Sequence, residues 1–267
     1  MSGIREIAMT EMPEVSIGNV QNEEAKTGVT VLLFDKKTGA VVGVDISGGG
    51  PASRETPLTS PVTADNPINA IVLSGGSAYG LAASDGVMRC LEEHGIGFET
   101  GYAKVPLVCQ SCIYDLGYGS ATVRPDSEMG YAACEKALAG GNPSSGSVGA
   151  GTGATVGKIC GMERAMKSGL GMYAVQLGEL RMAAVVAVNA LGDIFDSSTG
   201  RKIAGLRTED GTAFSDSCEE LWKMGQRENL FTGNTTIGAV ITNGKFNKAQ
   251  MNKIASRSEE HTSELSH

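Results

Sequence analysis

Apolar, β-branched residues fall in short blocks along the chain, and the spacing within each block predicts its element. Residues 28–34 and 40–47 are two such runs separated by Asp35-Lys36-Lys37-Thr38-Gly39, which predicts a hairpin. Residues 69–73 read as a buried strand that breaks at Ser74-Gly75-Gly76. Leu81, Val87, Met88 and Leu91 then recur at near-helical spacing over residues 77–93, with Gly95 as the stop. A second helix is predicted over 127–138, followed by a Gly/Ser loop over 140–157. Strands are predicted at 171–177 and 181–190, joined by Gly178-Glu179, and at 235–242. Helical character is expected over 218–224 and 247–255.

Residues 1–12 read as an arm, with little periodicity before residue 16. No linker, charge run or repeat divides the rest of the chain, so residues 13–255 are expected to form one layered α+β domain with a largely antiparallel sheet core. Glycine, at 37 of 267 residues, is roughly twice its usual ~7%. It has no Gly-X-Y period, so it must serve backbone geometry inside a packed protein. Aromatics are only 5%, which leaves the core to Val, Ile, Leu, Ala and Met.

The net charge is −8, from 22 basic and 30 acidic residues without a basic stripe. Counterion release then has no source, and no nucleic-acid partner is expected. No run of about 18 apolar residues exists and the N-terminus has no signal-like apolar segment. The expectation is a cytoplasmic protein without membrane contact. Six cysteines are too few for a disulfide framework in a chain this long and are read as reduced thiols. Of three histidines, His94 sits where a helix C-terminal cap is expected, and His261 and His267 lie in a segment, residues 256–267, that resembles a translated sequencing adapter and is read as non-native. A histidine base or a histidine-rich metal site is therefore not expected.

Several motifs invite a function and carry little of it. Gly149-Ala150-Gly151-Thr152-Gly153-Ala154 fits a dinucleotide fingerprint, but no strand precedes it. Gly153 to Gly157-Lys158 has three residues between its glycines where a phosphate loop needs four. Cys109-Gln110-Ser111-Cys112 lacks a second ligand pair and is read as structural thiols. Ser74-Gly75-Gly76-Ser77 lacks the nucleophile-elbow pattern and a histidine partner, and is read as a pocket wall. Gly233-Asn234-Thr235-Thr236-Ile237-Gly238 differs, because a hydroxyl opens a β-branched run after a small flexible pair. A threonine can be activated by its own α-amine, whose pKa of ~7.7–8.0 is close to working pH. That requires breaking the Asn234–Thr235 bond first. From spacing alone, a plain strand start competes with this reading.

Seven segments in order resemble the L-aminopeptidase/D-esterase family, which includes the β-peptidyl aminopeptidases. They are Thr27-Gly28-Val29-Thr30-Val31; Gly48-Gly49-Gly50-Pro51 with Arg54-Glu55-Thr56; Leu73 to Leu81 with Asp85-Gly86-Val87; Ile113-Tyr114-Asp115-Leu116-Gly117; Gly149 to Lys158; Val188-Asn189-Ala190 with Gly192-Asp193; and Asn234 to Gly238. The resemblance implies a four-layer αββα sandwich that cleaves itself between Asn234 and Thr235. It then implies an aminopeptidase or amidase acting on small peptides, amides or esters through an acyl-enzyme, without cofactor or metal. Thr235 would be the nucleophile, Asn189 an oxyanion-hole donor and Tyr114 a residue positioning the reacting groups. Gly49, Gly50, Gly75, Gly76 and Ser77 would bring backbone close to substrate, and a homo-oligomer of four or more chains is implied. Relatives carry a second hydroxyl residue and an acid further on, expected past residue 267. Two alternatives stand beside this reading: an acyl transferase of the self-cleaving ornithine acetyltransferase type, and a catalytically incomplete small-molecule binder.

Overall fold

The computed structural model describes residues 3–225 and 234–263, the last six as backbone alone. In chain order the first elements are β1 (Ile4–Ile7), β2 (Ser16–Asn22), β3 (Thr27–Leu33), β4 (Ser53–Arg54), β5 (Ala70–Ser74), α1 (Ala83–Glu93) and β6 (Val108–Cys112). They are followed by α2 (Ser127–Leu138), β7 (Leu170–Leu177), β8 (Leu180–Asn189), α3 (Ser217–Met224), β9 (Thr235–Thr242) and α4 (Lys248–Ser263).

Every residue of β3 is buried, which explains why it reads as an almost unbroken apolar run. It is the interior of a five-stranded sheet ordered β2-β3-β5-β6-β4, in which only the β5–β6 pair is parallel. Because side chains alternate along a strand, β3 feeds two cores. Val29, Val31 and Leu33 face α1 and α2 together with Val87, Cys90, Leu91, Ala133 and Ala137. Leu32 faces the other way, with Leu73 and Ile113, onto Leu170, Ala174, Ala183, Val185, Ala187 and Ile241 of an antiparallel four-stranded sheet ordered β1-β7-β8-β9. At ~25 cal/mol per Å², fully burying one such aliphatic side chain is worth about 1.5–3 kcal/mol. The two helices approach closely because Gly86 and Gly130 meet the partner helix with backbone, at Ser127 and Ala83 respectively; a Cβ there would collide.

The layers therefore stack as helices, sheet, sheet. The outward rows of the second sheet, Tyr173, Met182 and Val240 among them, are apolar yet exposed, on the side where an αββα sandwich carries its second helical layer. No helix among the described residues is long and apolar enough to cross a membrane.

The α2 and β9 boundaries match their expected spans, and residues 77–93 form a 3₁₀ turn (Ser77–Ala82) leading into α1. The expected hairpin is corrected. Residues 41–48 form no strand: Ala40 bridges Ile68, and the Val44 N–H donates to Asn252 Oδ1 of α4 instead of to a strand neighbour. The antiparallel neighbours of β3 are β5 and β2, and the mixed polar sequence of β2, Ser-Ile-Gly-Asn-Val-Gln-Asn, hides its strand character. The N-terminal arm contains β1, which pairs with β7. Helix α4 runs past residue 255. Gly233, and the side chains of the adapter-like segment beyond Arg257, lie outside the described residues.

Candidate active site

Among the described residues β9 pairs with β8 alone, and its first residue, Thr235, lies opposite Asn189, the last residue of β8. The sheet register thus brings together two residues 46 positions apart. Thr235 Oγ1 accepts the backbone N–H of Tyr114 at 3.1 Å and Asn189 Nδ2 at 3.3 Å. Asn189 Nδ2 also donates to the Tyr114 carbonyl at 2.8 Å, so Tyr114 meets Thr235 through its main chain.

Asn189 is fully buried, and its amide cannot turn over. Its Oδ1 accepts the Thr155 N–H at 3.1 Å and Lys158 Nζ at 2.9 Å, while Nζ also donates to the Asn189 carbonyl at 2.9 Å. Lys158 is itself only 5% exposed, and burial lowers its amine to about 8. An ammonium against Oδ1 polarises the amide and strengthens Nδ2 as a donor, an effect magnified by low local dielectric. Two donors therefore converge on the Thr235 hydroxyl oxygen, an arrangement that stabilises an alkoxide forming there.

The segment carrying Tyr114 is braced from below. The Ile113 N–H donates to Ser74 O at 2.8 Å and the Ser77 N–H to Ile113 O at 2.9 Å. Buried Asp115 accepts the Gly76 N–H at 2.7 Å and the Thr27 hydroxyl at 2.7 Å; its carboxyl is raised by burial, partly offset by those bonds. Gly75 packs directly on Asp115 and Thr27, leaving no room for a Cβ, and Gly76 has φ +84°. Gly75, Gly76 and Ser77 thus join the Tyr114 segment, one layer from Thr235. Gly49 and Gly50 do not: both are exposed, with open space where a Cβ would stand. Asn234 is exposed. Cys109 and Cys112 lie buried in β6, their thiols pushed up to about 11 by burial, as befits structural thiols. A separate cleft of about 590 Å³, lined by Met12, Ile17 and Phe34 among others, contains none of these groups.

The sequence profile of Peptidase family S58 matches residues 8–261. The chain belongs to peptidase family S58. An uncharacterized aminopeptidase of Mycobacterium leprae (strain TN) is 38% identical over 236 residues, covering 85% of this chain and 63% of that protein. A 6-aminohexanoate-oligomer endohydrolase of Kocuria sp. (strain KY2) is 34% identical over 258 residues, covering 94% of this chain and 68% of that protein. Among solved structures, a Burkholderia sp. β-aminopeptidase superposes with a TM-score of 0.59 at 18% identity, over 97% of this chain and 67% of that one. The L-aminopeptidase D-Ala-esterase/amidase of Ochrobactrum anthropi, described as a variant of the Ntn hydrolase fold, does so at 0.58 and 15%, over 97% and 66%. This S58 chain spans about two thirds of the length of these relatives. The family and the α+β sandwich expected from the seven motifs are borne out.

Sequence reasoning missed two residues of this S58 site. Lys158 closed a family-like segment and a failed phosphate loop without a function of its own, and its burial against Asn189 is what marks it out. Asp115 followed Tyr114 as part of a motif, without a function of its own.

Proposed function

We propose that this S58 protein is a serine/threonine-type aminopeptidase or amidase that activates itself by cleaving between Asn234 and Thr235. The observation that carries the reading is the convergence of the Tyr114 N–H and Asn189 Nδ2 on Thr235 Oγ1. In the first step Oγ1 attacks the Asn234 carbonyl carbon, the Asn234–Thr235 C–N bond breaks and an ester forms; the hydroxyl proton ends on the departing nitrogen. Water then hydrolyses the ester, leaving Asn234 as a carboxylate and Thr235 with a free α-amine. That amine serves as the base for attack on substrate, and the acyl group of a small peptide, amide or ester passes through Thr235 to water. Asn189 stabilises the oxyanion and Lys158 holds Asn189 in position. Relatives named as an aminopeptidase and as an amide-oligomer endohydrolase support both the bond type and the class. The acidic net charge does not repel a substrate carrying a free amine. The enzyme acts in the cytoplasm as a homo-oligomer of four or more chains.

The test is direct. Intact-mass analysis and N-terminal sequencing of purified protein find a fragment beginning at Thr235, and Thr235→Ala yields a single uncut chain that hydrolyses no aminoacyl p-nitroanilide. Folded protein that stays whole on long incubation refutes the self-cleavage, and light scattering that finds a monomer refutes the assembly.

A further inference from the structure

At the far end of α1 from the 74–77 turn, three side chains of different chemistry converge on one point. Cys90 on α1 and His94 at the C-cap of α1 stand one helical turn apart, and Glu135 reaches them from α2. One ligand atom from each lies within 4.8 Å of the others. The Cys90 Sγ to Glu135 Oε1 distance is 3.3 Å and the His94 Nε2 to Glu135 Oε1 distance is 3.6 Å. Metal–ligand bonds of ~2.0–2.3 Å in a tetrahedron place ligand atoms about 3.3–3.7 Å apart. The histidine is prepared for the role: its Nδ1 lies 2.8 Å from the Cys90 carbonyl. With Nδ1 as donor there, the Nε2 lone pair faces Glu135, the second-sphere arrangement that metal-ligating histidines adopt.

The Cys90 S–H donates to Glu135 Oε1, the same carboxylate oxygen that faces His94 Nε2. A divalent cation bound between these groups favours the thiolate over the thiol. Cys134 is buried in the same core as Cys90 and lies outside the triangle. His94 and Glu135 are each 43% exposed in their side chains, which gives the ion an entry path and leaves its fourth position to water.

We propose that Cys90, His94 and Glu135 form a zinc site that clamps α1 to α2, distinct from the Thr235 site. On binding, the Cys90 S–H bond breaks, the electron pair stays on sulfur to form the Zn–S bond, and the proton leaves to solvent. Thiolate, imidazole and carboxylate together suit zinc over calcium or magnesium, which prefer oxygen alone.

The experiment titrates the reduced, metal-free full chain with Co²⁺ and then Zn²⁺. The expected result is one equivalent bound, a near-ultraviolet thiolate-to-cobalt band that Zn²⁺ abolishes, release of about one proton per ion, and a raised Tm. His94→Ala, at an exposed position that leaves the core intact, weakens zinc binding by at least ~100-fold, since losing even a second-sphere partner costs 10–100-fold. Cys90→Ser removes the cobalt band. A titration without a thiolate band overturns the proposal, as does binding that is unchanged in both variants, which would place the ion elsewhere. A Tm that zinc leaves unmoved overturns the clamp.

Discussion

Replacing Lys158 by methionine separates what the buried amine does for the fold from what it does for Asn189. The folded chain holds this amine at about 8 against an ordinary 10.5. At about 1.36 kcal/mol per unit, that is a cost of up to about 3 kcal/mol for carrying the charge at neutral pH, less whatever residual solvent contact screens. Offsetting it are two hydrogen bonds to Asn189, each about 1.5–3 kcal/mol when the donor is charged. Methionine removes both sides of this balance at similar volume, and Oδ1 retains the Thr155 N–H. The variant is therefore expected to lie within about 2 kcal/mol of the parent in urea unfolding. Self-cleavage is expected to slow much more, approaching the 10²–10³-fold that losing an oxyanion donor costs, because Nδ2 loses both its polarisation and part of its fixed orientation.

The pH dependence supplies a readout that simple packing would not move. A lysine whose folded amine is depressed destabilises the fold fully below about 8, and that cost fades as pH rises from about 8 toward 10.5. The parent thus gains stability over this window relative to Lys158→Met. If the charged form polarises Asn189, the parent's self-cleavage rate falls as pH rises through about 8, and Lys158→Met lacks that limb. Self-cleavage followed by intact mass across pH 6–10 reads this before any α-amine exists to confuse it. A variant that processes at the parental rate with the parental profile would refute the role, and a parental rate that rises through 8 would make the lysine a base instead.

Three further outcomes are expected. Asn189→Ala removes a donor to Thr235 and empties a fully buried position, so self-cleavage falls at least ~10²-fold with a loss of about 1–3 kcal/mol in stability from the groups left unpaired, read by mass spectrometry and urea melts. Asp115→Ala leaves the Gly76 N–H and Thr27 hydroxyl without their acceptor and costs about 1–3 kcal/mol. Because burial raises the Asp115 carboxyl, its ionised form opposes folding, and the parent's margin over the variant should widen as pH falls through the raised value; a margin that narrows contradicts this. In native protein at pH 8, a thiol reagent should label exposed Cys218 quickly and the buried, raised Cys109 and Cys112 only on unfolding; rapid labelling of either would show that β6 opens.

What could be read along the chain was what repeats with a period or recurs as a motif. β3, β7, β8 and β9 announce themselves because each offers its neighbours a run of Val, Ile, Leu or Ala, and Asp126 caps α2 by accepting the Met129 N–H, as an N-cap aspartate should. β2 escaped because both its interior contacts and its polar partners, such as Asn142 on the Asn19 N–H, are tertiary. Residues 40–47 misled for the converse reason: a β-branched run whose partner is the helix α4 and not a strand has no local mark of the difference. The same division runs through the site. Thr235 and Asn189 sit in recognisable motifs, and their meeting is a consequence of one antiparallel register. Lys158 owes its place to no motif that chemistry alone would single out. A lysine after a glycine loop is usually a solvated charge, and only the packing of that loop beneath β8 buries it against the Asn189 amide. Residues that act through another residue are, for this reason, the ones a linear reading loses first: their function is defined by a contact, and the contact by the whole fold.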